Sequence, residues 1–470
     1  MRMPEGHDVV ILGAGIAGLA AASVLGRRAV VVEQSPRPGG LARTEHRNGY
    51  WFDHVLHVLY FDDPATEGRL RRITAAHLSP CTPEAWVECL AGTARYPFQM
   101  HLADLDHEVV IRCLRDLAEV SFRPAPSPPA DFAEWLLRTF GRGLCEQFLL
   151  PYNRKLWRRP LASLAPAGSQ WTIARPDFER VLLGALSHTV PFEPYNARAF
   201  YPRPAPGASL RGMEVLTHAL ALQATQLLLD HRVEALDLNT RTVTARCRGR
   251  RVQLRFREAC LATIPLPELV RMCPQVPAGL RAACGALLRN RVLTAAFSIR
   301  GPRPQGRGHW RYYADESLAF TRLIHMHEFD PFTAPQDGWG LMAEIVQPAE
   351  TPLDSRAAIL ARALRDIRRA RALPGACEVV DQDLIVVDPA YVVFTAKSRG
   401  IVSAAIRFLQ AHGVLLLGRY GRWEYSSMAQ VARDGFSAAE TILAGEGVGK
   451  HTLTARPLSG ENGPQCGVAS

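Results

Sequence analysis

No two of the chain's ten cysteines have the Cys-x-x-Cys spacing of a metal ribbon or a redox dithiol, which argues against both chemistries. The pattern fits buried thiols in a reducing cytoplasm. Basic runs interleaved with aromatics are also missing. The formal charge is +10, but the arginines are scattered along the sequence, so a nucleic-acid groove is not expected. Charged residues make up only 21% of the chain against 47% hydrophobic residues, a balance that excludes wholesale disorder. Internal repeats are absent. Residues 9–26 carry no charge and reach the lower length limit of a membrane span, yet Gly13, Gly15 and Gly18 interrupt them. No basic lead-in or cleavage site frames the stretch as a leader, so it reads as strand, turn and helix, and no membrane span is expected. A chain of 470 residues is too long for one core and predicts two or three lobes.

What is present begins at residue 8. A short apolar strand (8–12), a glycine turn, an Ala/Leu-rich helix (16–25) and a second strand (29–32) make a βαβ unit. In the turn, Gly13 permits the bend, Gly15 lets backbone approach a pyrophosphate, and Gly18 allows helix and strand to close. The helix N-terminus offers free N–H groups and a positive dipole end to that anion. Glu33, twenty residues after Gly13, is placed for an adenosine ribose. A second turn, Arg37-Pro38-Gly39-Gly40-Leu41-Ala42-Arg43-Thr44, adds Gly40 and Arg43 as a further anion-binding element. A flavin dinucleotide threading deeper than NAD would use both turns. The reading is therefore FAD bound by an α/β, Rossmann-type domain of the glutathione-reductase-like kind.

Further along, four prolines in 124–129 punctuate the chain, and Phe132, Trp135, Leu136 and Phe140 recur at helical spacing behind the potential cap Asp131. A helix is expected over 210–229, strands over 232–266 and 292–350, a helix over 354–371, a strand over 414–418 and a helix from about Gln430. These divide the chain into an FAD-binding part (1–90), a helical substrate lobe (91–200), an FAD-binding return (201–290), a β-rich substrate lobe (291–400), a closing segment (401–445) and a disordered tail (446–470).

The second glycine turn resembles that of the FAD-dependent superfamily of amine oxidases, protoporphyrinogen oxidases, phytoene desaturases and UDP-galactopyranose mutases. His231-Arg232-Val233 with 262–265, and Gly418-Arg419 with Asp434-Gly435, resemble its return and closing segments over the flavin. The middle of the chain resembles the mutase branch. Tyr96-Pro97-Phe98-Gln99 and the run from Pro151 through Asn153 to Trp157 look like its uridine-gripping segments: aromatic faces stack the base, and the amides of Gln99 and Asn153 suit its edge. Trp171 followed by Arg175, and Tyr312 followed by Arg322, match segments bearing its two diphosphate arginines, whose forked guanidiniums suit a diphosphate better than lysine does. Asn196 matches a sugar-facing asparagine. Tyr391 and Tyr425 match further diphosphate tyrosines, with Gln430 close behind on the cofactor side. His57 matches a flavin-facing histidine, with His54 as its rival in a shifted alignment. The chain departs from that pattern at Val55-Leu56, where a glycine pair is usual, at Ala429, and at Val392-Val393-Phe394.

The resemblance implies a flavin-dependent mutase interconverting pyranose and furanose forms of a nucleotide-diphosphate sugar through a covalent link between reduced flavin N5 and the sugar. Arg175 and Arg322 would hold the leaving diphosphate, Tyr312, Tyr391 and Tyr425 would assist, and His57 would tune the flavin. NAD(P)H would serve as external reductant. A second reading is an oxidoreductase of the same superfamily using oxidised FAD on a small molecule, and a third is a flavin- or nucleotide-binding protein without catalysis. The paired arginines favour the first, and the altered flavin loop favours the second.

Overall fold

A computed structural model describes residues 5–445 except 76, 124–126, 167–172, 174, 176 and 189–197. Asn196, Trp171 and the 446–470 tail lie outside the described residues.

Val9, Val10, Ile11 and Leu12 are wholly buried, the pattern of a strand covered on both faces. The strand Glu5–Leu12, the helix Ile16–Leu25 and the strand Ala29–Val32 form the parallel βαβ unit, with Val9 opposite Ala29. The sheet then recruits distant chain. Strand Arg250–Ala262 runs parallel beside Glu5–Leu12, and Val414–Leu416 runs parallel beside its end, with Cys260 opposite Val414. The antiparallel strands Arg232–Asp237 and Thr242–Cys247 extend it on that side. There the arginines scattered in sequence gather: Arg232, Arg246 and Arg251 stand in one cross-strand row, with Glu234 bridging the last two. Helix Met428–Leu443 packs over Ile16–Leu25.

The expected helix over 210–229 is shorter, Glu214–Ala221. The chain turns after it so that Leu227–Leu228 joins the sheet edge, where Gln226 and Leu228 accept from Val31 and Glu33 N–H. Satisfying that open edge overrides the Ala/Leu helix propensity.

The second sheet has seven strands in the order Glu378–Val393, Leu288–Arg300, Gly338–Pro348, Arg322–His325, Trp310–Tyr313, Ala85–Cys89 and Gly92–Arg95. Its pairs are antiparallel except Trp310–Tyr313 with Ala85–Cys89. Side chains alternate between its faces. Leu293, Leu323, Leu341 and Ala343 point to a core closed by Ile359, Leu360, Ala363 and Ile367 of helix Arg356–Arg369, which Ser355 caps. The even-numbered neighbours face the opposite way, toward the dinucleotide-binding part. Helices His107–Phe122, Phe132–Leu144, Leu150–Trp157 and Phe178–Leu186 flank this sheet, and Asp131 accepts from Glu134 N–H as the expected cap. Among the described residues no helix is long and apolar enough to cross a membrane.

Candidate functional site

The first half of the site is made of backbone. Gly13 has φ +101°, a left-handed conformation that favours glycine, and its N–H donates to Val32 O at 2.8 Å. A Cβ on Gly18 would sit 2.1 Å from Gly13 O, so the helix can close on the strand only without one. Gly15 begins the helix Ile16–Leu25 with no side-chain cap, which leaves that terminus suited to an anion. The second turn lies against the first: Gly39 N–H donates to Ala14 O at 2.8 Å, and a Cβ on Gly40 would come 3.1 Å from Gly15 Cα. Arg43 braces it through Nε to Gly40 O at 3.1 Å. Glu33 is fixed by Ala14 and Ser35 N–H groups, each 2.9 Å from one carboxylate oxygen. Its own carbonyl accepts from His231 N–H at 2.8 Å, which brings the strand carrying Val233 alongside. An uncapped helix terminus, a cradle that a Cβ would fill and an immobilised acid together fit a dinucleotide.

The second half is made of side chains. On the inner face of the large sheet, Tyr312, Arg322, Glu344 and Thr294 form one row across four adjacent strands. Arg322 Nε donates to one oxygen of Glu344, which is 1% exposed. The other oxygen accepts from Leu56 N–H at 2.8 Å, and Thr294 Oγ1 donates to His54 O at 2.7 Å. The row therefore holds the 54–58 loop at two points. Tyr312 also meets Tyr152 edge-on at 5.4 Å and Tyr96 at 5.4 Å. From the closing segment, the Gly418–Gly421 turn, opened by Gly418 at φ +67°, carries Arg419 over the rings of Tyr391 at 5.7 Å and Tyr425 at 4.7 Å.

Electrostatics sort these groups into fixed states. Burial, and then the neighbouring Arg419, His54 and Arg322 charges, push His57 down to about 3, so it is neutral at physiological pH. Its Nδ1 is enclosed without a hydrogen-bond partner. Burial is the largest single influence on Arg322 and opposes its charge, but Glu344 and then Tyr391, Tyr312 and Tyr152 together outweigh it, so the guanidinium stays ionised. Burial raises Tyr152, Tyr312, Tyr391 and Tyr425, leaving all four as neutral hydroxyls. The Tyr425 hydroxyl donates to Val392 O, so against the sequence expectation this residue offers the chamber its ring rather than its O–H. The chamber presents two fixed cations, one buried carboxylate and the O–H groups of Tyr152, Tyr312 and Tyr391. It is equipped to hold an oxyanion rather than to exchange protons near neutral pH.

Several sequence expectations need correction. Phe98 and Trp157 have no accessible surface, so neither offers a face to a base. Trp157 is closed in by Phe132 and Tyr425, each edge-on at 6.4 Å. Asn153 spends its amide inside its own helix, donating to Leu149 O at 2.7 Å and accepting from Trp157 Nε1 at 3.1 Å. Gln99 is 3% exposed and Tyr96 half-buried. Gln430 is engaged in the capping box of helix Met428–Leu443, bonded to Ser427 and, at 3.0 Å, to Asp62. Arg175 is exposed, in a stretch most of whose neighbours lie outside the described residues, and the described geometry does not assemble it with Arg322 into a clamp. Arg419 is instead the arginine whose rings and neighbours are shared with Arg322. Sequence reasoning missed Glu344 and Thr294, and it had Tyr152 only as part of the expected uridine-gripping run, whereas its ring meets Tyr312 edge-on. Glu344 had a signal, a single acid inside the apolar strand Gly338–Pro348, since an ionised group is rarely buried without a partner.

A family model for the NAD(P)-binding Rossmann-like domain matches residues 11–73. The all-trans-retinol 13,14-reductase of Macaca fascicularis is 40% identical over 82 residues, covering 16% of this chain and 13% of the reductase. The chain thus spans 13% of the length of that curated relative. Among solved structures, a reduced UDP-galactopyranose mutase aligns with 94% of this chain and 96% of its own, with TM-score 0.84 and 21% identity. A putative protoporphyrinogen oxidase from Exiguobacterium sp. 255-15 aligns with 95% of this chain and 100% of its own, with TM-score 0.69 and 16% identity. The chain shares the fold of these two solved structures: mixed α/β, with a Rossmann-type dinucleotide-binding domain joined to a large second sheet.

Proposed function

We propose that this protein is a flavin-dependent mutase that interconverts ring forms of a nucleotide-diphosphate sugar, with FAD held by the two glycine turns, Glu33 and the strand of Val233. The observation that carries this reading is the enclosure of Arg322 and Arg419 with the hydroxyls of Tyr152, Tyr312 and Tyr391 beside His57, with the Tyr425 ring seating Arg419. When bound and reduced, the flavin supplies the nucleophile toward the anomeric carbon. The chain's own work is to receive the departing diphosphate and keep it close for return. Two ionised guanidiniums stabilise its developing charge, and preorganised O–H donors do so without reorganising. Neutral His57 orients the loop against the cofactor without adding a competing charge. Arg175 would reach the diphosphate from the helical side. NAD(P)H is the proposed source of electrons.

The test is direct. Protein reduced with dithionite is incubated with a panel of UDP- and dTDP-hexopyranoses, and products are separated by anion exchange and weighed. An isomer of unchanged mass, absent with oxidised protein, is the expected result. The likeness to a retinol reductase favours a second reading, a flavin oxidoreductase acting on a small molecule. Oxygen consumption or a product two mass units lighter or heavier, with no isomer, would replace the first reading with this one.

A further inference from the structure

Glu344 is a puzzle if Arg322 simply binds an anion. The carboxylate is buried, and it pairs with Arg322, which faces the chamber. A paired arginine is a weaker anion site than a free one. The other oxygen of Glu344 is not idle: it accepts the N–H of Leu56 at 2.8 Å, next to His57 and within the loop that departs from the glycine-pair pattern. Thr294, the next residue in the same row, holds His54 O. One carboxylate therefore has two claimants, the guanidinium of the anion site and the backbone of the cofactor-side loop.

Resting on the reading that Arg322 takes the diphosphate, we propose that Glu344 is a positioning residue that couples occupancy of the Arg322 site to the 54–58 loop. An arriving diphosphate takes up the guanidinium. The carboxylate, relieved of that partner, is left to accept more strongly from Leu56 N–H, because an ionised acceptor strengthens its remaining bond. The loop beside His57 is then held more firmly when the anion site is filled than when it is empty.

The experiment uses the flavin-loaded full chain with UDP as the probe, following amide hydrogen exchange in peptides covering 54–58 and UDP affinity by calorimetry. In the wild type, saturating UDP should slow exchange in that loop at least about threefold, the scale of one strengthened hydrogen bond. Glu344→Gln keeps an acceptor for Leu56 and removes the charge competing for Arg322. It should bind UDP at least about tenfold more tightly, with a loop that no longer responds. A residue of purely structural importance would not tighten binding when replaced. Glu344→Asp, which keeps the charge but falls short of Leu56, provides a second variant: near-normal affinity with fast, unresponsive loop exchange. Weaker UDP binding by Glu344→Gln, or an equal slowing of the loop in that variant, overturns the coupling alone. Failure of the wild type to bind UDP overturns both the coupling and the diphosphate reading of the chamber.

Discussion

The two halves of the site are built on different plans. The dinucleotide turns use backbone almost alone, within the first forty-odd residues, and their geometry follows from where a Cβ is tolerated. The chamber uses side chains from strands at residues 294, 312, 322, 344 and 391, from the helix of Tyr152 and from the turn of Arg419, and the geometry of its central row follows from strand register. A contiguous motif can be read from its spacing. A row across four strands cannot, because a shift of one residue in any pairing would turn its side chain to the other face.

The sharpest way to break this comparison is at Arg322. Removing it with Arg322→Ala strands Glu344 as an unpaired buried charge, and we expect a loss of about 3–5 kcal/mol in unfolding free energy together with UDP binding. The double change Arg322→Met with Glu344→Gln removes both charges. It should recover most of the stability while binding stays lost, as read by denaturant titration and calorimetry. If the single variant is as stable as the wild type, the row does not hold the buried ion pair described. In the backbone half, Gly18→Val places a Cβ against Gly13 O and forces helix and strand apart. A cost of about 3 kcal/mol or more is expected, with flavin lost in proportion to unfolding. Retention of full flavin absorbance would refute the close-packing account.

This difference explains what was legible beforehand. The βαβ unit, its glycines and Glu33 were readable to the residue because each requirement is local. Of the chamber, Arg322, Arg419, His57, Tyr312, Tyr391 and Tyr425 were named individually, but their mutual placement was not available from spacing. The expected aromatic base platform failed at Phe98 and Trp157 because hydrophobic burial competes for the same rings that stacking would use. The helix over 210–229 failed because a sheet edge needed a strand, a demand made by residues nearly two hundred positions earlier.

The large sheet also carries a feature that the glycine half lacks, a group of buried histidines on the side away from the cofactor. His325 and His327 approach each other and Trp339. Burial, and then Arg303 and His309, push His327 down to about 4, against 6.5 when exposed. The folded chain therefore stays unprotonated where the unfolded chain takes up a proton. The contribution to stability is complete above about pH 6.5 and declines as pH falls toward 4. Between pH 6.5 and 5 this residue should account for ~2 kcal/mol of lost stability. His327→Leu should flatten the decline by that amount in urea titrations at the two pH values, and an unchanged slope would assign the pH dependence elsewhere.

The smallest effect is the most discriminating between the two plans. Gln430 was read as a cofactor ligand, yet its side chain accepts from Ser427 N–H at 3.1 Å and donates to Asp62 at 3.0 Å, completing the cap of helix Met428–Leu443. Loss of such a cap costs about 1 kcal/mol. Gln430→Ala should therefore lower the unfolding free energy by about that much while flavin affinity and the visible spectrum stay unchanged. Gln430→Glu, which preserves the acceptor for Ser427, should retain the cap but set a second carboxylate against Asp62, so its stability should fall between the wild type and the alanine variant. If either change instead displaces flavin without altering stability, Gln430 belongs to the cofactor, and the closing helix is positioned by chemistry rather than by its own terminus.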